Sequence, residues 1–277
     1  MKSLQQDDQG FMTLSKILKD ATGINLELNE KNLFLMAGRL NKVLRDNELK
    51  SYAELINLLN LGDVQHLKIF ASALTTHTTE FFREDEHFLM LKELVIEAIN
   101  QKNFKGELRI WCAAASTGQE AYTIAMCLEE IRMSLKPFDL KILATDIDEQ
   151  VLEVASQGTY TVAEMASVPL NLKKKYFKKC SKNNNEVFQV NPRLRNSIHF
   201  APFNLVSNQF PFEHHFDIIF CRNVLIYFDT ETRTQIIRKF ADALHPYGHL
   251  FLGHAEAGVV KANTLKSIHV AVYKRTA

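Results

Sequence analysis

The sequence predicts an α/β protein: an open, doubly wound parallel sheet with a small antiparallel insert, preceded by a small all-helical N-terminal domain. Three observations lead there. Leu108 to Ala113 and Leu140 to Thr145 are apolar runs, and Phe216 to Cys221 is a continuous one, as expected of a strand buried on both faces. Segments of helical period lie between them. The first 75 residues carry helical spacing and no strand pattern.

In the N-terminal part, Phe11, Leu14, Ile17 and Leu18 share one helical face, and Leu33, Met36, Ala37, Leu40, Val43 and Leu44 share another. Ser51 with Glu54 reads as a capping box, and Val64, Leu67, Ile69 and Phe70 continue the bundle. The second helix also carries Lys31, Arg39, Lys42 and Arg45. A solvated face explains them; the sharper reading is a docking face for an acidic macromolecule. Thr75 to Arg83 follows neither period and reads as irregular. In the bland reading, Phe81 and Phe82 pack the two parts of the chain together and Arg83 pairs with an acid such as Glu84. Its position before the first strand suits a lid equally well. A helix runs from about Asp85 to Ile99.

The first strand ends in the small residues Ala114 to Gly118, a helix starts at Gln119, and the second strand closes on Asp146. In open parallel sheets ligands bind outside the carboxyl ends of the strands, with an acid on a ribose. The loop is not G-x-G-x-x-G and spells out no phosphate cradle, so an adenosine without phosphates fits better than a dinucleotide. Asp146 suits the ribose; a capping role shared with Asp148 is its alternative. Asp148 reads as the N-cap and Gly158 as the stop of the next helix. From about 159 to 197 the alternation breaks into a short helix around Leu170 to Phe177, a turn at Lys182 to Asn185 and a strand from Glu186 to Val190. Lys173, Lys174, Lys175, Lys178, Lys179 and Lys182 make this insert either a solvated face or a partner-binding one. The core resumes with Ile198 to Phe200, Phe203 to Leu205 and Phe216 to Cys221, which runs into Arg222-Asn223. A helix from Thr230 to Leu244, a turn at Pro246-Tyr247-Gly248, and strands His249 to Leu252 and Ile268 to Tyr273, paired as an edge hairpin, complete roughly seven strands.

Composition narrows the function. A formal charge of +1 over 277 residues offers no chain-wide field for nucleic acid or an anionic membrane. The four cysteines, Cys112, Cys127, Cys180 and Cys221, form no C-x-x-C, which reads as reduced thiols in a cytosolic protein. Met1 to Asp8 hold no apolar signal region, and no later run is long enough to span a bilayer. A soluble, cytoplasmic monomer is expected. The histidines, His214-His215 included, show no metal-ligand spacing, and no metal is expected.

Five stretches in order, Thr75-Thr76-His77-Thr78-Thr79-Glu80-Phe81-Phe82-Arg83-Glu84, Ala113 to Glu120, Ala144-Thr145-Asp146-Ile147-Asp148, Phe220 to Asp229 and Gly253-His254-Ala255-Glu256, resemble the CheR-type chemotaxis receptor methyltransferases over nearly the whole chain. The resemblance implies a Rossmann-like methyltransferase sheet, S-adenosyl-L-methionine as cofactor with S-adenosyl-L-homocysteine as product, and methyl-accepting chemotaxis receptors as partners. It implies a helical domain over 1–75, a linker over 76–88 that contributes to the active site, and a catalytic domain over 89–277. His77, Thr79 and Arg83 would line the site from the linker. Ala113 and Glu120 would sit at the methionine end, Asp146 on the ribose and Asn204 and Leu205 at the adenine, with Cys221, Arg222 and Asn223 closing the floor. Arg83 and Tyr227 would flank the reacting methyl. The chain departs from the family in His77, where Asn is usual and where the charge becomes pH-dependent, in Ala121, where Pro is common, and in Ala255, where Ser is.

The chemistry this implies is esterification of receptor glutamates, an in-line displacement. A glutamate is ionised at neutral pH, so no general base is required, and the motifs show no His/Asp or Cys/His pair. Positioning and desolvation are the protein's task. Arg83 suits a carboxylate clamp; Tyr227 reads as a methyl-aligning hydroxyl or, without the family, as a core aromatic. The alternatives are a different methyl acceptor, or a cofactor-sensing scaffold without turnover. Arg222-Asn223-Val224-Leu225 stands where base methyltransferases commonly carry Asn-Pro-Pro-Tyr, against a nucleic-acid substrate.

Overall fold

A computed structural model describes residues 8–102, 104–182, 184–260 and 263–276. Met1 to Asp7 and the turn residue Asn183 lie outside the described residues. The chain forms two compact units: residues up to Thr76 with Asn204–Val206 and Ile226–Arg233, and the remainder.

The first unit contains α1 (Asp8–Thr22), α2 (Glu30–Asp46), α3 (Tyr52–Asn60) and α4 (Val64–Leu74). Polar side chains start three of them by accepting an otherwise unpaired first-turn N–H: Asn29 from Asn32, Ser51 from Glu54 and Asp63 from His66. The reciprocal half of the Ser51 capping box is displaced. The Glu54 carboxylate takes the N–H of Lys50 instead, at 2.7 Å. Phe11, Leu14, Leu18, Met36, Leu40, Leu55, Phe70 and Leu74 form the buried interior. Arg39 does not face solvent with its basic neighbours: its guanidinium caps the end of α4, donating to the carbonyls of Leu74 at 3.0 Å and Thr75 at 2.7 Å.

The second unit opens with α5 (Glu86–Asn100) and continues through β1 (Glu107–Ala113), α6 (Gln119–Arg132), β2 (Asp139–Asp146) and α7 (Glu149–Gln157). The insert then supplies β3 (Thr159–Thr161), α8 (Leu170–Tyr176), β4 (Phe177–Lys182), β5 (Asn185–Val190) and α9 (Pro192–Arg195), its strands forming an antiparallel sheet in the order β3-β5-β4. The main sheet resumes with β6 (Ile198–Pro202), β7 (Phe216–Cys221), α10 (Thr230–Ala243), β8 (Leu244–Leu252), β9 (Leu265–His269) and β10 (Val272–Arg275).

The seven-stranded sheet has the order β6-β2-β1-β7-β8-β10-β9 and is parallel from β6 to β8. The chain moves outward from β1 to β2 and β6 and then returns to β7, so the strand order reverses between β1 and β7. That reversal opens a crevice at the carboxyl ends of these strands. Register brings Ala113 level with Thr145 on one side and Cys221 on the other. Alternation sends Ile110 and Cys112 into a core with Leu91, Val95, Ile124 and Leu128 of α5 and α6. Trp111 points to the opposite face, into edge contacts with Phe203, Phe210, Phe212 and Phe240.

Two expectations near the C-terminus are corrected. Pro246-Tyr247-Gly248 is a bulge inside β8 rather than a turn before it: Leu244 pairs with Phe216 and His249 with Ile218, and the surplus residues loop out with Tyr247 at φ +68°. Ile268 to Tyr273 is not one strand. It spans the bend between β9 and β10, with Ala271 at φ +56°, so three strands rather than two follow α10.

Candidate active site

At the carboxyl end of β2, Asp146 is buried, and its two oxygens accept the N–H of Ser116 at 2.8 Å and of Asp148 at 3.1 Å. Burial raises its pKa against these two hydrogen bonds and the nearby His77. The loop that reaches Asp146 leaves β1 at the buried Ala113 and passes through left-handed backbone at Ala114 (φ +63°), Ser116 (φ +50°) and Gly118 (φ +94°). Gly118 is required by space as well: a Cβ there would lie 2.9 Å from that of Ala155 and 3.1 Å from the Tyr160 hydroxyl. Phe82, Glu84 and Asn223 are also left-handed. Strained non-glycine backbone thus gathers on the segments that meet at these strand ends, as at functional sites.

His77 lies with its Nε2 3.1 Å from Asp148 Oδ2, while Asp148 caps α7 through the N–H of Gln150. A His/Asp pair absent from the motifs is therefore made by the fold. The partners are far apart in sequence and meet because the linker crosses the β2–α7 corner, where the Ser116 hydroxyl donates to the His77 carbonyl at 3.3 Å.

Arg222, just beyond β7, is buried, and both its terminal nitrogens are taken by protein partners. One terminal nitrogen donates to Glu120 at 2.8 Å; the other donates to Glu84 at 2.9 Å and to the carbonyl of Arg83 at 2.5 Å. Glu120 in turn accepts the Cys112 thiol at 3.2 Å, and burial pushes the Cys112 and Cys221 thiols far up. For Glu84, burial would raise the pKa, but Arg222 and the Asn223 amide outweigh it and hold the carboxyl below its ordinary value. Glu84 therefore pairs with Arg222, not with Arg83. The Arg83 guanidinium donates to the Thr78 carbonyl at 2.9 Å and has no carboxylate partner among the described residues. Thr79 is half-buried beside it in the chain.

Sequence reasoning left Glu256 outside the site. The fold buries it to 1% exposure and sets its carboxylate on three backbone N–H groups, of Gly253 (2.7 Å), Asn223 (3.0 Å) and Leu225 (2.6 Å). An acid three residues after a glycine at the end of an apolar strand was the available signal. Phe81 packs edge-on against Tyr160 and Phe177, which anchors the linker to the insert. Asn204, Leu205 and Tyr227 group with the helical unit: Asn204 donates to the Ala21 carbonyl at 2.9 Å, and the half-buried Tyr227 accepts the Asn25 N–H through its carbonyl at 2.9 Å.

The second unit thus offers an acid suited to ribose hydroxyls, a loop of small side chains that lets a ligand reach backbone, and no phosphate cradle, which fits S-adenosylmethionine. The family model described as CheR methyltransferase, SAM binding domain, matches residues 77–273. A chemotaxis protein methyltransferase of Borreliella burgdorferi is 38% identical over 95% of this chain and 92% of its own length. The chemotaxis protein methyltransferase 2 of Pseudomonas aeruginosa is 37% identical over 96% and 92%, and the Escherichia coli chemotaxis protein methyltransferase 36% over 91% and 86%. A strand-order reversal between β1 and β7, an acid at the end of the neighbouring β2, and a model match running from the linker to the last strand lead to one conclusion: the chain belongs to the CheR methyltransferase family and binds S-adenosylmethionine for methyl transfer.

Proposed function

We propose that this chain methylates glutamate side chains on the cytoplasmic part of methyl-accepting chemotaxis receptors, forming methyl esters. The observation that carries this reading is the contrast between two arginines. Arg222 is held by Glu84 and Glu120, whereas Arg83, on the linker that carries Glu84, has only a carbonyl partner among the described residues. Its planar, permanently charged fork suits a substrate carboxylate.

S-adenosylmethionine, when bound, supplies an electrophilic methyl group. His77, Thr79, Arg83, Ala113, Glu120, Asp146, Cys221, Arg222 and Asn223 form the proposed cofactor-facing set. Asp146 would accept from the ribose hydroxyls. Glu120 and Arg222 neutralise one another and hold the strand ends to the linker. Arg83 orients the attacking carboxylate, which is ionised and needs no proton removed. The roles given to Asn204, Leu205 and Tyr227 rest on the resemblance alone.

On α2, Lys31, Lys42 and Arg45 are exposed around Phe34, itself 71% exposed. A basic face with an apolar centre supports docking on an acidic receptor helix. In the insert, Lys173 lies over Phe188, and Lys175 and Lys179 pair with Glu130 and Glu186. Lys174 and Lys178, exposed and without an ion pair among the described residues, remain as a smaller second contact; the Lys182 side chain lies outside them. Among the described residues no helix is long and apolar enough to cross a membrane; a cytoplasmic monomer remains part of the proposal.

Transfer of labelled methyl from S-adenosylmethionine to receptor cytoplasmic fragments tests the reading. Base-labile label released as methanol is expected, reduced about 100-fold or more in Arg83→Ala even at saturating S-adenosylmethionine. The His77–Asp148 pair supports a second reading, an acceptor that must lose a proton; base-stable label would favour it. Cofactor binding without any transfer would favour a sensing scaffold.

A further inference from the structure

We propose that Glu84, His87 and His254 form a binding site for a borderline divalent cation of the zinc type, placed where its occupancy competes with the Arg222–Glu84 ion pair. The side-chain ligand atoms of the three residues lie within 4.8 Å of one another. His87 Nδ1 is 3.6 Å and His254 Nε2 4.0 Å from the same Glu84 oxygen, and the two imidazole rings meet edge to face at 4.9 Å. Zinc bonds of about 2.0–2.2 Å to nitrogen and oxygen set ligand atoms somewhat closer than this. Closure requires a small inward swing, and His254, with its side chain 43% exposed, has room to make it.

The independent observation is His87. It is 1% exposed, and neither ring nitrogen has a hydrogen bond of normal length and angle; a weak contact with the Val270 carbonyl, which favours the charged form, is the nearest to one. Buried polar atoms without partners are uncommon and call for an explanation. A neutral imidazole, the commonest protein ligand to zinc-type ions, offers one ring lone pair to a metal. Two imidazoles and one carboxylate select zinc over calcium or magnesium, which prefer all-oxygen shells, and three protein ligands leave a fourth position for water.

The same Glu84 oxygen accepts from Arg222 at 2.9 Å. A cation bound there takes over that lone pair and repels the guanidinium, so Arg222 loses one of its two acidic partners and its hold on the linker weakens. Arg222 also lowers the affinity, which places the site among reversible regulatory sites rather than structural zinc centres. The link to cofactor binding rests on the function proposed above; the metal site itself does not.

The test titrates zinc alone, with calcium and magnesium as controls, into chelator-stripped full-length protein by calorimetry and by competition with a chromogenic chelator. One equivalent of zinc is expected, with the affinity reduced at least about tenfold in His254→Ala and in His87→Asn. Matching far-UV spectra and melting temperatures check that each variant folds, and the surface-facing His254→Ala suffices if His87→Asn does not. Nitrogen-15 histidine spectra should shift at residues 87 and 254. S-adenosylhomocysteine should then bind more weakly with zinc present, and His254→Ala should abolish that dependence while its zinc-free affinity stays unchanged. No zinc binding at submillimolar metal, or equal binding by His254→Ala, overturns the site. Zinc binding without any effect on S-adenosylhomocysteine retains the site and overturns the competition.

Discussion

Asp146 carries two demands on one carboxylate: it organises the loop after β1 and the start of α7 through the N–H groups of Ser116 and Asp148, and, in the role proposed for it, it keeps lone pairs for ribose hydroxyls. In Asp146→Asn one oxygen becomes an N–H donor facing a backbone donor, and the charge that strengthens the remaining hydrogen bond is lost. Hydrogen bonds to charged groups contribute about 1.5–3 kcal/mol, so cofactor affinity should fall about 10- to 100-fold, measured by calorimetry with S-adenosylhomocysteine. Because burial raises the Asp146 pKa, wild-type affinity should begin to fall, as pH is lowered, above the ordinary carboxylate range. Unchanged affinity in Asp146→Asn would remove the residue from the cofactor site. This acid was legible in the sequence because a polar residue ending an apolar run stands out. The Arg222 hub and the His77–Asp148 pair were not legible as partnerships, since each joins residues that only the folded loops bring together.

At the level of elements, the ends of β7 and β8 are fixed by one side chain. Glu256 lies in a 3₁₀ turn after β8, yet it accepts from Asn223 and Leu225 after β7 as well as from Gly253. Gly253 has no alternative, because a Cβ would meet the Asn223 amide and lie 2.9 Å from its backbone nitrogen. Glu256→Gln sets an amide NH₂ against these donors and should cost roughly 2–3 kcal/mol. The expected reading is a lower denaturant midpoint with unchanged slope; an unchanged midpoint would mean that the two loops hold without it. Periodicity revealed β7, α10 and the last residues of β8 because burial on both faces leaves an apolar run. It missed the bulge at Pro246 to Gly248, where turn residues are accommodated by looping out of a continuing strand, and the bend at Ala271, where a non-glycine residue takes left-handed backbone without any sequence sign.

For the whole molecule, the two compact units carry different titrating weaknesses. In the helical unit, Lys19 lies 2.7 Å from Asp229 and helps hold that carboxyl down at about 2. A depressed acid stabilises above its unfolded pKa near 3.8, and the contribution fades as pH falls towards 2. In the sheet unit, His249 of β8 is largely buried with its Nε2 unpartnered, and burial together with the Lys274 charge pushes it down to about 4. An unfolded histidine takes up its proton near 6.5. Between 6.5 and 4 the unfolded chain therefore binds more protons than the folded one, and stability falls as pH falls. From pH 7 to pH 5 His249 alone should remove about 2 kcal/mol from the sheet unit. The helical unit should hold until the lower window. His87 acts in the same direction, so the wild-type slope does not isolate His249; the comparison with His249→Gln does. Denaturant unfolding at pH 7, 6 and 5, followed by Trp111, the one tryptophan and a core residue of the sheet unit, should give a visibly flatter pH dependence in the variant. Parallel slopes would mean that His249 keeps its proton equilibrium on folding and that the sheet unit's acid sensitivity arises elsewhere.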